Sequence, residues 1–264
     1  MKFNLKLVQA SLIAAMATAS AGVSAAVYND FTIDPDSTAG GTTYVADKIT
    51  GNYVEVVSFD GAGNFATSIK WEAGQFVKDN GTNPIPGGLT GLGNTYLMYA
   101  FLQGGGTYST SGGVTTFNFS PGGSLNVWID YDLSSFGSFT APANGALPWT
   151  TTSTDTLIAT GVLASGVGTL DPTLSTCPAI NCGSFGTMTS FVLNADGSKY
   201  FINPVPFYNL SFQSGQLNDF TVSGTQTITG SLDVVFGVPE PTSIALMGLG
   251  LVGLGVSLRR RKQA

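Results

Sequence analysis

Short runs in which apolar and polar side chains alternate, each bounded by glycine, asparagine or aspartate, recur through the middle of this 264-residue chain. A β-strand points successive side chains to opposite faces, so a period of two marks a strand with one face buried. In Phe65-Ala-Thr-Ser-Ile-Lys-Trp-Glu72, one face carries Phe65, Thr67, Ile69 and Trp71 and the other Ala66, Ser68, Lys70 and Glu72. In Asn52-Tyr-Val-Glu-Val-Val-Ser-Phe59, Tyr53, Val57 and Phe59 share a face into which Glu55 intrudes. The glycine-rich turn Asp60-Gly-Ala-Gly-Asn64 joins the two runs as a hairpin.

Further strands are expected over 95–102, 114–119, 125–131, 188–193, 199–205, 207–212, 220–229 and 232–236, with a turn at Asn194-Ala-Asp-Gly-Ser198. No stretch of residues 27–238 sustains helical apolar spacing, and β-branched and aromatic residues dominate. Many short strands without alternating helices predict one all-β domain over 27–238, an antiparallel β-sandwich or jelly roll. The Gly/Ser/Thr-rich stretch 137–175 reads as a mobile insertion.

Charge and chemistry narrow the function. Histidine is absent, which excludes Ser-His-Asp and Cys-His hydrolysis and His-ligated metal catalysis. Residues 27–238 hold four lysines, no arginine and fifteen acidic side chains, a net charge of −11. Phosphate contact needs clustered cations, so nucleic acid is not an expected partner. The other six cations sit at the two ends: Lys2 and Lys6, then Arg259, Arg260, Arg261 and Lys262.

Each end has its own pattern. Lys2 and Lys6 precede the apolar run Leu7 to Ala21 and the small residues Val23-Ser-Ala-Ala26, the layout of a secretory signal peptide over 1–26 cleaved after Ala25 or Ala26. At the far end, Pro239-Glu240-Pro241 is followed by the apolar run Thr242 to Leu258 and the four terminal cations. As a helix that run reaches roughly 25 Å, marginal for a ~30 Å hydrocarbon core, and the cations should stay cytoplasmic. It suits a temporary transmembrane stop.

The order of tripeptide, glycine-containing apolar helix and Arg-rich tail over 239–264 resembles the PEP-CTERM sorting signal of Gram-negative bacteria. The resemblance implies that exosortase reads Pro239, Glu240 and Pro241 as a substrate and removes the tail. It further implies passage through the secretion translocon, a transient stay in the inner membrane, and a mature protein on the cell surface or in the extracellular matrix of a bacterium that makes exopolysaccharide. Asp30-Phe-Thr-Ile-Asp34, Ala46-Asp-Lys-Ile-Thr-Gly-Asn-Tyr-Val-Glu55 and Trp71-Glu-Ala-Gly-Gln-Phe76 are similar to the flocculation-associated members of that group. This second resemblance implies a role in cell aggregation with extracellular polysaccharide and no catalytic residues.

In the body, Cys177 and Cys182 enclose four residues, and outside the cytoplasm they are expected to form a local disulfide. Asp130 and Asp132 share one face of an extended strand beside Trp128, a solvated pair that could hold Ca²⁺ or act as acid and base on a glycoside. Asp34, Asp36 and Asp60 lie in turns. Trp71, Trp128 and Trp149 could stack on sugars or pack the core, and Trp149, in a proline-flanked loop, is expected at the surface. No cofactor and no enzymatic activity are expected. The functional readings are a matrix protein of flocculation or biofilm and, as alternatives, a glycan-binding module or a polysaccharide hydrolase.

Overall fold

A computed structural model describes residues 28–237, apart from 38–40, 133, 135–137, 153 and 178–180. The expected signal peptide, the Pro239–Glu240–Pro241 tripeptide, the apolar run after it and the basic tail lie outside the described residues. Among the described residues no helix is long and apolar enough to cross a membrane.

The regular structure of the described chain is nearly all strand: β1 (Phe31–Ile33), β2 (Tyr44–Ala46), β3 (Lys48–Phe59), β4 (Asn64–Lys78), β5 (Asn83–Ile85), β6 (Leu97–Ser111), β7 (Val114–Phe119), β8 (Gly122–Asp130), β9 (Phe139–Thr140), β10 (Thr150–Thr151), β11 (Thr156–Leu170), β12 (Gly183–Ser190), β13 (Val192–Leu193), β14 (Phe201–Asn203), β15 (Leu210–Leu217) and β16 (Thr225–Gly237). Two single-turn helices, α1 (Gly87–Thr90) and α2 (Gly197–Tyr200), interrupt them.

The fold is all-β and antiparallel, as the alternation indicates. Within that class the pairings run as a next-neighbour meander: β3 to β4, β4 to β6, β6 to β7 and β8, these to β11, then β12, β15 and β16. β16 pairs back to β3 from Thr225↔Ser58 to Val234↔Ile49, so the circuit closes and no Greek-key crossover is present in it. Closure removes the unpaired edges an open sheet would expose. Opposite walls share one core, as the sheets of a sandwich do; Tyr53 of β3 meets Phe185 of β12 with ring centroids 5.5 Å apart.

β7 and β8 form a single stave with a bulge. Between the pairs Gly106↔Phe119 and Gln103↔Ser124, three steps along β6 face five on the other strand. Gly122 and Gly123 sit in this bulge with φ of 125° and 69°, conformations that side chains disfavour. A Cβ on Gly123 would lie 2.0 Å from the Gln103 carbonyl oxygen.

The interior is apolar and the outside largely polar, the reverse of a transmembrane barrel. Along β16, Ile228, Leu232, Val234 and Phe236 point inward, while Thr225, Thr227, Thr229 and Ser231 face out. Phe31, Phe201, Phe207 and Phe236 pack edge-on at one end, where the small sheet β14–β1–β2 covers the core. Phe59, Phe65, Phe117, Phe119 and Phe185 crowd the other. Inward polar groups on β12 and β15 satisfy one another: Thr187 Oγ1 donates to Gln213 Oε1 at 2.9 Å, and Gln213 Nε2 donates to Ser211 Oγ at 2.8 Å and Thr189 Oγ1 at 3.1 Å. Buried polar groups paired in this way avoid the desolvation penalty.

One expectation is overturned here. The 137–175 stretch contains β11, a fifteen-residue strand with neighbours on both sides. Its glycines admit close neighbours: a Cβ on Gly161 would lie 1.9 Å from the Ser190 carbonyl oxygen, and one on Gly166 would lie 2.7 Å from Thr187 Cγ2. The small residues that read as a loop serve tight strand packing.

Candidate functional site: an aromatic cleft on the outer wall

On the outside of the barrel, β6 and β8 lie side by side in a register that pairs Tyr99 with Trp128, Phe101 with Asn126, and Gln103 with Ser124. Directly opposed residues of antiparallel strands share a face, so these six side chains form one surface. β6 is apolar on both faces there: Met98, Ala100 and Leu102 point to the core, and Leu97, Tyr99 and Phe101 point outward, yet all six are buried.

The strap 139–151, closed by β9 against β10, covers those outward residues. Trp149 Nε1 donates to the Ser68 carbonyl oxygen at 3.0 Å, Gly145 N to Ser58 Oγ at 3.0 Å, and Gln103 Nε2 to the Ala146 carbonyl oxygen at 2.5 Å. Phe139 meets Tyr99 edge-on at 4.8 Å. Trp149 is therefore 6% exposed, not the surface residue expected; its ring fills the space over Val56 and Phe101, and its N–H is satisfied inside. Trp71 is a core residue, with its Nε1 donating to the Leu232 carbonyl oxygen at 3.0 Å.

Between the strap and β8 runs a cleft of about 340 Å³. Trp128, Phe101 and Trp149 supply its aromatic surface, with Asn126, Gln103 and Thr150 as polar neighbours. Trp128 stacks one indole face on Tyr99, with centroids 5.3 Å apart at 15°, and remains half-exposed. Among the described residues, no charged side chain lines the cleft.

Carboxylates gather at the Trp128 end. β8 ends at Asp130, so Asp132 lies past the strand and the two do not form the solvated pair expected. Asp130 is only 1% exposed, and its Oδ1 accepts the Asp132 amide at 2.7 Å. Asp132 is exposed, and its Oδ1 accepts Ser134 N at 2.9 Å and Ser134 Oγ at 2.7 Å. The Tyr99 hydroxyl donates to Asp155. Burial holds the Asp130 carboxyl above the usual carboxylate range; the Asp132 amide opposes this, and the charges of Asp155 and Asp132 add to it.

The four lysines among the described residues each lie near a carboxylate. Lys70 contacts Glu72 at 2.5 Å and sits over the Phe139 ring, 4.5 Å from its centroid. Lys48 contacts Asp233 at 3.2 Å, Lys199 contacts Asp196 at 2.7 Å, and Lys78 is 4.0 Å from Asp79.

Cys177 and Cys182 form the expected disulfide, with Cα atoms 4.6 Å apart. Their sulfurs and an Asp219 oxygen lie within 4.8 Å of one another, but sulfurs bonded to each other offer no thiolate to a metal. Asp60 closes its turn as expected, its Oδ1 accepting Ala62 N and Asn64 N at 2.7 and 2.9 Å.

Residues 237–262 match the family model for the PEP-CTERM protein-sorting motif. The motif marks an exported, exosortase-targeted protein whose precursor is membrane-anchored. No curated protein and no solved structure matches the chain.

Proposed function

We propose that the body is a non-catalytic adhesive domain of the extracellular matrix, which holds extracellular polysaccharide in the outer cleft and so promotes flocculation or biofilm formation. The observation that carries this reading is the uncharged aromatic and amide lining of that cleft. Aromatic faces stack on the C–H faces of sugar rings, and amides and hydroxyls exchange hydrogen bonds with sugar hydroxyls. Sorting to the cell exterior delivers the cleft to where such polymers accumulate.

The hydrolase alternative fits the same residues less well. A retaining glycosidase separates its two carboxyls by about 5 Å, and an inverting one by more. Here Asp130 is only 1% exposed and is tied to the Asp132 amide, while Asp155 is engaged by the Tyr99 hydroxyl. Deleting the gene and scoring settling of the culture tests the proposal. Loss of settling that is restored by an Asp130→Ala, Asp132→Ala double variant supports an adhesive role. Unchanged settling on deletion contradicts it, and restoration only by the unaltered chain, with loss of glycan cleavage, favours the hydrolase.

A further inference from the structure

We propose that the cleft selects an uncharged polysaccharide strand and rejects anionic ones such as uronic-acid or sulfated polymers, an inference that rests on the polysaccharide-binding reading above. Two observations set the sign of the selectivity. First, all four lysines of the body lie within 4.0 Å of a carboxylate, and residues 27–238 contain no arginine. A bound carboxylate or sulfate gives up strong hydration on entering a cleft, and charge-assisted contacts to a cation are the strong ones that offset this loss. Second, carboxylates gather at the Trp128 end of the cleft, where Asp130 accepts the amide of the exposed Asp132 and Asp155 accepts the hydroxyl of Tyr99, the ring stacked on Trp128; an anionic chain running along the strand would meet like charge there.

The lining suits a neutral sugar. Tyr99 covers one face of Trp128, which leaves the cleft side of the half-exposed indole for a pyranose ring. The Asn126 amide makes no hydrogen bond with the described residues, so its donors and acceptor are available to hydroxyls. A volume of about 340 Å³ is at the small end for ligand pockets, enough for a short stretch of a chain that continues past both ends.

The test is binding of the full-length chain, solubilised in a polyoxyethylene detergent, to immobilised dextran, immobilised laminarin and immobilised alginate, with EDTA present and then with CaCl₂. The expected result is retention on a neutral polymer in EDTA, about tenfold weaker for Trp128→Ala, with no retention on alginate. Thr150→Lys places a cation at the exposed rim without disturbing the packed rings, and it should gain retention on alginate. Retention of the unaltered chain on alginate in EDTA, or only with CaCl₂ present, would overturn the selectivity while leaving polysaccharide binding intact. Absence of retention on all three polymers would overturn both readings.

Discussion

The Thr67 hydroxyl donates a 2.5 Å hydrogen bond to the Glu55 carboxyl inside the barrel, where Val57, Phe59, Phe65, Phe117 and Phe185 surround the pair. Burial pushes the Glu55 carboxyl up to about 7, against the opposing pull of Thr67. In the unfolded chain it returns to the ordinary value of 4.5. Below pH 4.5 it is protonated in both states and contributes no pH dependence. Between 4.5 and 7 the folded protein binds more protons than the unfolded chain, so stability falls as pH rises and levels off above 7. The contribution is about 3 kcal/mol. Glu55→Gln should remove this part of the slope, and urea unfolding at pH 5 and pH 8 measures it. A slope unchanged in the variant would show that Glu55 does not titrate in the interior.

Trp149 anchors the strap, so Trp149→Ala should cost about 3–5 kcal/mol, the usual cost of deleting a large buried aromatic. Trp149→Phe should cost less, because only the indole N–H to Ser68 and part of the ring volume are lost. Denaturant unfolding of both variants checks the order. Equal and negligible losses would mean that the strap does not cover β6.

Gly123 sets the register that places Trp128 opposite Tyr99. Gly123→Ala brings a methyl against the Gln103 carbonyl at a φ of 69° and should destabilise the protein by about 2 kcal/mol or more. Thermal unfolding measures this. Gly112→Ala is the control: it also has positive φ, at 59°, but nothing lies within 4 Å of the added carbon, so its cost should be the smaller.

The period-two runs were legible because their inward and outward residues differ in polarity. The Tyr53–Val57–Phe59 and Phe65–Ile69–Trp71 faces point into the core, with Glu55 and Thr67 among them. β11 was hidden because Gly161, Gly166 and Gly168 carry no side chain to alternate; the contrast lies on the strands that pack over them. Closure was hidden because the pairing of β3 with β16 joins residues far apart in sequence.

The cleft was half legible. Alternation puts Ser124, Asn126, Trp128 and Asp130 on one face, but it does not tell where the strand ends, and that end is what separates Asp130 from Asp132. A signal for the strap was present in Leu97-Met-Tyr-Ala-Phe-Leu102, apolar at every position, since such a run needs cover on both faces. What supplies the cover is tertiary, and Trp149 does so from a loop whose prolines pointed to the surface.

The PEP-CTERM resemblance implies that exosortase reads Pro239-Glu240-Pro241, so replacing Glu240 with Ala should leave the protein at precursor size in the membrane fraction. Immunoblots of fractionated cells check it, and normal appearance outside the cell would argue against that reading.

The intact mass of the protein recovered from outside the cell tests the account most directly. The expected mass belongs to a chain that begins after Ala25 or Ala26 and lacks both the apolar run Thr242 to Leu258 and the cations Arg259, Arg260, Arg261 and Lys262. An exterior product whose mass still includes those four residues would contradict it.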